Sequence, residues 1–268
     1  QDFLSVSNKY KSQFLFREPI NKKWGLDIEH LYKVNIGNQD RNTNDRNSIT
    51  GEYDVQATAF SNYFDNLKLT NRAGIYTIYR YKKDRLKIGG YFRNVQLRSF
   101  DEYENPLTDS LNFWDILPQV SFRHKFNNSQ RLRFNYRTNS RQPSLNQLQP
   151  VQNNSNPNKI VEGNPDLRPD YSHQISLSYN HWKGLTGSYI WSNLSYRRVM
   201  NPFINEVSYD NFGRTISKTV NMDSSSNEFT SFYFGGKIPI GNTPLGIRIR
   251  NSSSYNITNS IIDRLKNT

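Results

Sequence analysis

Arg131-Leu-Arg-Phe-Asn-Tyr-Arg137 and Tyr171-Ser-His-Gln-Ile-Ser-Leu-Ser-Tyr-Asn180 decide the fold. In the first stretch Leu132, Phe134 and Tyr136 share one parity, and Arg131, Arg133, Asn135 and Arg137 the other. In the second, Tyr171, Ile175, Leu177 and Tyr179 fall on one side. Ser172, Gln174, Ser176, Ser178 and Asn180 fall on the other. A helix, with period 3.6, mixes these sets; a strand, with period 2, separates them fully. A polar, proline-punctuated insert lies between the two, so the unit is strand, long loop, strand.

Working outward, the unit recurs. Leu4, Val6, Tyr10, Phe14 and Phe16 mark a strand over residues 3–17, and Trp24 to Ile36 gives the cleanest alternation in the chain. Further strands are marked by Leu67 to Tyr81, by Leu86 to Leu97, by Val120 to Phe126, by residues 186–199, by Phe232 to Ile238 and by Ile247 to Ile257. After Phe92 the apolar parity changes, to Val95 and Leu97, which predicts a bulge near Arg93. Residues 203–209 and 214–220 read as a small hairpin around Asp210-Asn-Phe-Gly213.

Connection lengths then order the strands. Short turns at 18–22, 82–85, 127–130, 181–185 and 239–244 alternate with long inserts at 38–66, 99–115, 140–170 and 200–224. Short and long connections therefore lie at opposite ends of one up-and-down sheet, as in outer-membrane barrels. A Greek-key sandwich has no reason to alternate in this way. Composition agrees. The 268 residues are 34% hydrophobic but 14% aromatic, with 17 Tyr and 16 Phe; mean hydropathy is −0.84. No apolar run reaches the roughly 18 residues of a membrane helix. The expectation is an all-β, antiparallel, up-and-down transmembrane β-barrel domain over 1–268.

The insert carries a motif. Arg141-Gln-Pro-Ser-Leu-Asn-Gln-Leu148, Asn154-Ser-Asn-Pro157 and Gly163-Asn-Pro-Asp-Leu-Arg-Pro-Asp-Tyr171 resemble the outer-membrane barrels of TonB-dependent receptors. Phe16-Arg-Glu-Pro-Ile-Asn-Lys-Lys-Trp24 resembles the family's periplasmic turn, and Tyr209-Asp-Asn-Phe-Gly213 followed by Val220-Asn221 its loop hairpin. The resemblance implies a 22-stranded barrel filled by a plug, importing a nutrient with energy from the TonB complex. About ten of those strands are present here. The plug and the TonB-contacting segment are absent from these residues, so the chain's own plug domain or further strands are expected partners. Outer-membrane lipid and a surface lipoprotein are the others. The alternative is a non-transporting barrel, a scaffold or surface receptor in a larger complex. Within the motif, Arg141, Pro143, Gly163, Asn164, Pro165, Leu167, Pro169 and Tyr171 are read as a loop brace that sets where the next strand begins, because proline and glycine fix backbone rather than chemistry.

No catalytic constellation, phosphate loop or metal-ligand spacing occurs, and there is no cysteine; no enzyme activity and no cofactor are expected. Nucleic-acid binding would rest only on basic and aromatic content. The remaining signal is the net charge of +12. Arg72, Arg80, Arg123, Arg131, Arg133, Arg137, Arg248 and Arg250, with Lys68 and Lys87, all sit at polar-parity positions. They are read as a lumen wall made to hold something anionic.

Overall fold

The computed structural model describes residues 2–267 except 43, 57–60, 102–110, 149–152, 157, 185, 186, 224, 242, 244, 263 and 264. Ten strands form one antiparallel sheet: β1 (Asp2–Pro19), β2 (Trp24–Asn42), β3 (Asn62–Tyr81), β4 (Asp84–Asp101), β5 (Leu111–Lys125), β6 (Gln130–Arg141), β7 (Asp170–Lys183), β8 (Ser188–Met200), β9 (Ser226–Pro239) and β10 (Gly246–Ile257). Each pairs with its neighbours in chain order, with no crossover. Among the described residues β1 pairs only with β2 and β10 only with β9, so the sheet is open at both edges.

The alternation read from sequence is the alternation of faces. On β2, Asp27 is 1% exposed, while Trp24 and Ile28 on the opposite parity are 43% and 40% exposed. The same side continues through Phe14 and Phe16, Ile75, Ile88 and Phe92, Ile116, Leu177, Leu194, Phe232, Ile247 and Ile249, all exposed. A sheet that turns a continuous apolar face outward and most of its strand-to-strand ion pairs inward is built for an apolar solvent. Near the short turns this face carries an aromatic rim. Trp24 packs on Tyr79 at 4.7 Å, and the Lys23 ammonium lies 4.6 Å from the Tyr81 ring. Rings and lysines together suit the boundary between hydrocarbon and headgroups.

Three expectations are corrected. No bulge exists near Arg93: β4 keeps one register against β3 and β5 from Asp84 onward. Val95 and Leu97 face inward, where they pack with Leu148 and Leu167 from the insert. The parity change is thus a change in what lines the inside, not a slip of the chain. The long inserts are also shorter than read. β2 runs on to Asn42, β3 starts at Asn62, and Leu111–Asp115 belongs to β5. A tilted strand needs only about 9–11 residues to cross the hydrocarbon, and these strands continue past it. There the outward face turns polar too, at Asn94, Asn112 and Thr138, and the periodic signal fades. The short turn read at 181–185 is likewise partly strand, since β7 reaches Lys183. Leu185, Pro244 and the insert centre at 102–110 lie outside the described residues.

A second sheet of six short strands stands at the long-loop end. Its order is Leu265–Asn267, Ser260–Ile262, Phe203–Tyr209, Thr215–Asn221, Lys159–Glu162 and Asn153–Asn156. The hairpin 203–221 is as read. Its parallel pairing with Lys159–Glu162 on one side and with Ser260–Ile262 on the other was not legible.

The outward face gives a direct test. Ile28→Arg should cost about 2–4 kcal/mol in lipid, and Asn193→Lys, on the inward face of β8, under about 1 kcal/mol. Denaturant unfolding in lipid vesicles measures both, and equal costs would contradict the assignment of faces.

Candidate functional site: the inward wall and its loop brace

All eight candidate wall arginines share the inward face. Ladder partners fix this: Arg80 lies opposite Arg85, Arg85 opposite Arg123, and Arg123 opposite Arg133. Arg131 and Arg137 have the parity of Arg133 on β6. Arg72 has that of Arg80 on β3, and Arg248 pairs with inward Lys237. The structure does not draw them into one cluster. Arg137 donates two hydrogen bonds to Gln174, at 3.0 and 2.7 Å. Arg72 stacks on Tyr91 with its guanidinium carbon 4.0 Å from the ring centre. Arg248 and Arg250 sit on edge strand β10, away from the rest.

Among the described residues three acids of this face, Asp27, Glu29 and Asp115, are already engaged. Asp27 binds Arg17 at 2.8 Å and Lys87 at 3.1 Å, while Glu29 stands 3.6 Å from Lys87 and accepts a 3.0 Å bond from the Tyr91 hydroxyl. Asp115 is held at 2.6 Å by Arg93 and accepts a further bond from Gln142 at 3.0 Å. Arg17, Arg85 and Arg93 were missed as wall residues. Arg85 had been counted in a turn that ends two residues earlier, and parity within each strand exposes the other two. Tyr76 and Tyr91 lie flat because each covers a glycine across the ladder. A Cβ on Gly89 would stand 2.7 Å from the Tyr76 ring, and one on Gly74 2.5 Å from Tyr91. The two rings meet edge to face at 5.2 Å. Trp191 covers Gly235 in the same way, which is why the parity of β8 looks mixed.

The brace residues converge at the other end of the wall. Arg141 closes β6 by an ion pair of 2.7 Å to Asp170, the first residue of β7. Pro143 is fully buried. Gly163 is buried beside Asn164, whose amide N–H donates to the Gln147 carbonyl at 2.6 Å and whose Nδ2 donates to the Thr219 carbonyl at 2.9 Å. Asn164 Oδ1 accepts from the Asp166 amide at 3.1 Å, turning the exposed Pro165 outward. Leu167 enters the cluster with Val95, Leu97 and Leu148. Asn201 Nδ2 donates to the Pro169 carbonyl, and the Tyr171 hydroxyl to the Ile116 carbonyl at 2.8 Å. Asn221, read with the hairpin rather than with the insert, completes the joint: its Oδ1 accepts from the Arg168 amide at 2.7 Å and its Nδ2 returns a bond to the Arg168 carbonyl at 2.8 Å.

A model of the outer membrane protein beta-barrel family matches residues 2–263. The chain belongs to that family. As an outer membrane protein beta-barrel it resides in the outer membrane of a Gram-negative bacterium, and its exposed apolar face is the lipid face. Solved structures agree on the fold. The FrpB iron transporter of Neisseria meningitidis superposes with a TM-score of 0.63 at 12% identity, over 94% of this chain and 36% of that one. The copper transporter OprC gives 0.65 at 12%, over 95% and 39%. The alcaligin outer membrane receptor FauA of Bordetella pertussis gives 0.51 at 11%, over 95% and 39%. The chain thus spans a little over a third of each. The resemblance to TonB-dependent receptor barrels, first seen in Gly163–Tyr171, holds at the level of fold. A search of the curated proteins gives no significant match.

In this outer-membrane barrel Leu167→Ala empties part of a buried cluster, a change that costs about 2–5 kcal/mol where the site cannot collapse. The expected outcome is faster proteolytic cutting near residues 163–168 with the ten-stranded sheet intact by circular dichroism. An unchanged cutting rate would show that Leu167 does not hold the insert.

Proposed function

We propose that the chain is part of the barrel wall of a TonB-dependent transporter that takes up a solute across the outer membrane. The observation that carries this reading is the open sheet. Both edges, β1 and β10, present unpaired backbone groups, which hydrocarbon does not tolerate. Strands beyond this sequence are therefore expected to cover them and to complete a larger barrel, of about 22 strands on the family pattern the sequence resembles. The share of the solved transporters that the chain spans supports the same conclusion. A plug domain of the same protein fills the lumen in this reading, the TonB complex energises it, and the long loops face the exterior. Arg141 to Tyr171 acts as a brace that fixes the exterior loops on the β6–β7 end of the wall.

A second reading, a surface receptor or scaffold that engages a lipoprotein, is favoured by one observation. The six-stranded sheet at the long-loop end is an ordered surface built from three separate segments.

The test uses the full-length protein in its own cells. Comparing depletion of medium components between wild type and a deletion strain should reveal at least one solute removed faster by wild type, and a protonophore should abolish the difference. No such solute would favour the scaffold. Arg133→Glu with Arg137→Glu should slow that depletion by about tenfold or more while heat-modifiable mobility on gels stays normal, because lumen changes tune contents more than folding.

A further inference from the structure

The cations of the inward wall are unevenly placed. Arg80, Arg85, Arg123 and Arg133 are successive partners on a single rung across β3, β4, β5 and β6. Neighbouring strands lie about 4.8 Å apart, so four guanidinium groups stand in one line. Like charges directly opposed across a ladder repel. Among the described residues none of the four forms an ion pair with a carboxylate, since the acids of this face hold Arg17, Lys87 and Arg93 instead. A fold that accepts such a row without internal compensation gains if an anion comes to it.

The surface there is concave. A hollow of about 220 Å³ opens on the row between Arg85, Arg123 and Arg133, with Lys87, Ser121 and Asn135 completing it. A second hollow of about 350 Å³ shares Lys87, Ser121 and Asn135 and reaches Arg137 and Gln174. Neutral donors cross the shared floor: the Ser121 hydroxyl donates to Asn135 Oδ1 at 2.8 Å, and Asn135 Nδ2 donates to the Ser176 hydroxyl at 3.4 Å. We infer that the two adjacent hollows, which share Lys87, Ser121 and Asn135, are a binding station for a small polyanion, a solute carrying two or more carboxylate or phosphate groups. One group seats against Arg85, Arg123 and Arg133, and the next reaches Arg137 across Ser121 and Asn135. This rests on the reading of the inward face as a lumen wall. Concavity on the scale of a small ligand, with neutral donors set between cations, fits separate oxyanion groups. A packed protein segment would need a more even surface.

Equilibrium titration of the purified full-length protein with tricarballylate and with pyrophosphate tests it and separates carboxylate from phosphate. At least one probe should bind, more weakly as salt rises, and raise the thermal midpoint. Arg123→Gln with Arg133→Gln should weaken that binding by about tenfold or more and remove the thermal shift. Lys237→Gln, inward but on β9 and outside both hollows, should leave binding unchanged. Failure of both probes to bind, wild-type binding in the double variant, or an equal loss in Lys237→Gln would each overturn the station. Binding is read without an energised membrane. A null result beside intact solute depletion would therefore remove the anion station and leave the uptake reading standing.

Discussion

Inside hydrocarbon every backbone N–H and C=O must be bonded to protein, and that requirement governs the rest of this chain. Strands meet it only through their neighbours, so the ten long strands pair in unbroken registers from one end of the sheet to the other. Pairing of this length fixes parity, and parity fixes which residues meet lipid. A one-residue slip anywhere would bring Asp27, Lys87 and Arg133 into the apolar phase and turn Ile28, Ile88 and Phe134 inward. The cost of that exchange, a few kcal/mol for each misplaced charge near the midplane, holds the register more firmly than any single contact.

The inward face is economical in a different way. It carries few acids, and Asp27, Glu29 and Asp115 are each tied to a cation or a hydroxyl. Asp27 is clamped between Arg17 and Lys87, and Asp115 joins Arg93 to the first residues of the insert. Tyr76 and Tyr91 use the space left by Gly89 and Gly74 to cover backbone while they hold this network in place. Toward the long-loop end the wall turns apolar, at Val95, Leu97 and Leu117, and there the insert packs in. Polar wall and apolar seat thus occupy successive heights of the same strands. The exterior loops are anchored by a small core rather than by the membrane.

The faces and the strand order were legible because both are local. Period 2 needs only neighbours in sequence, and turn lengths need only a count. The errors came where the meaning of a residue depends on something distant. Val95 and Leu97 looked like a change of phase because Leu148 and Leu167, their partners, come from far along the chain. Asn112 looked like loop because, past the lipid, an outward position is as polar as an inward one. The wall arginines were found by parity, but their grouping was not. Only the register places Arg80, Arg85, Arg123 and Arg133 on one rung, and Arg85 had been assigned to a turn. In the brace, the residues that set backbone were legible as proline, glycine and asparagine. Asn201, which ties them to the neighbouring hairpin, carries no local signal, and Asn221 was legible as part of that hairpin but not as the partner of Arg168.

The central claim is that one parity of these strands meets lipid and the other meets water. These residues contain no cysteine, so in a full-length background with any other cysteine replaced, single cysteines can be placed along β2 from residue 24 to residue 36 and read one at a time. In the full-length protein in native outer membranes, positions 25, 27, 29, 31, 33 and 35 should react with a water-soluble thiol reagent once the lumen is opened by denaturant short of unfolding. Positions 26, 28, 32 and 34 should stay protected, and a fluorophore attached there should be quenched by lipid-borne nitroxide. Labelling without alternation, or quenching at the odd positions, would contradict the account.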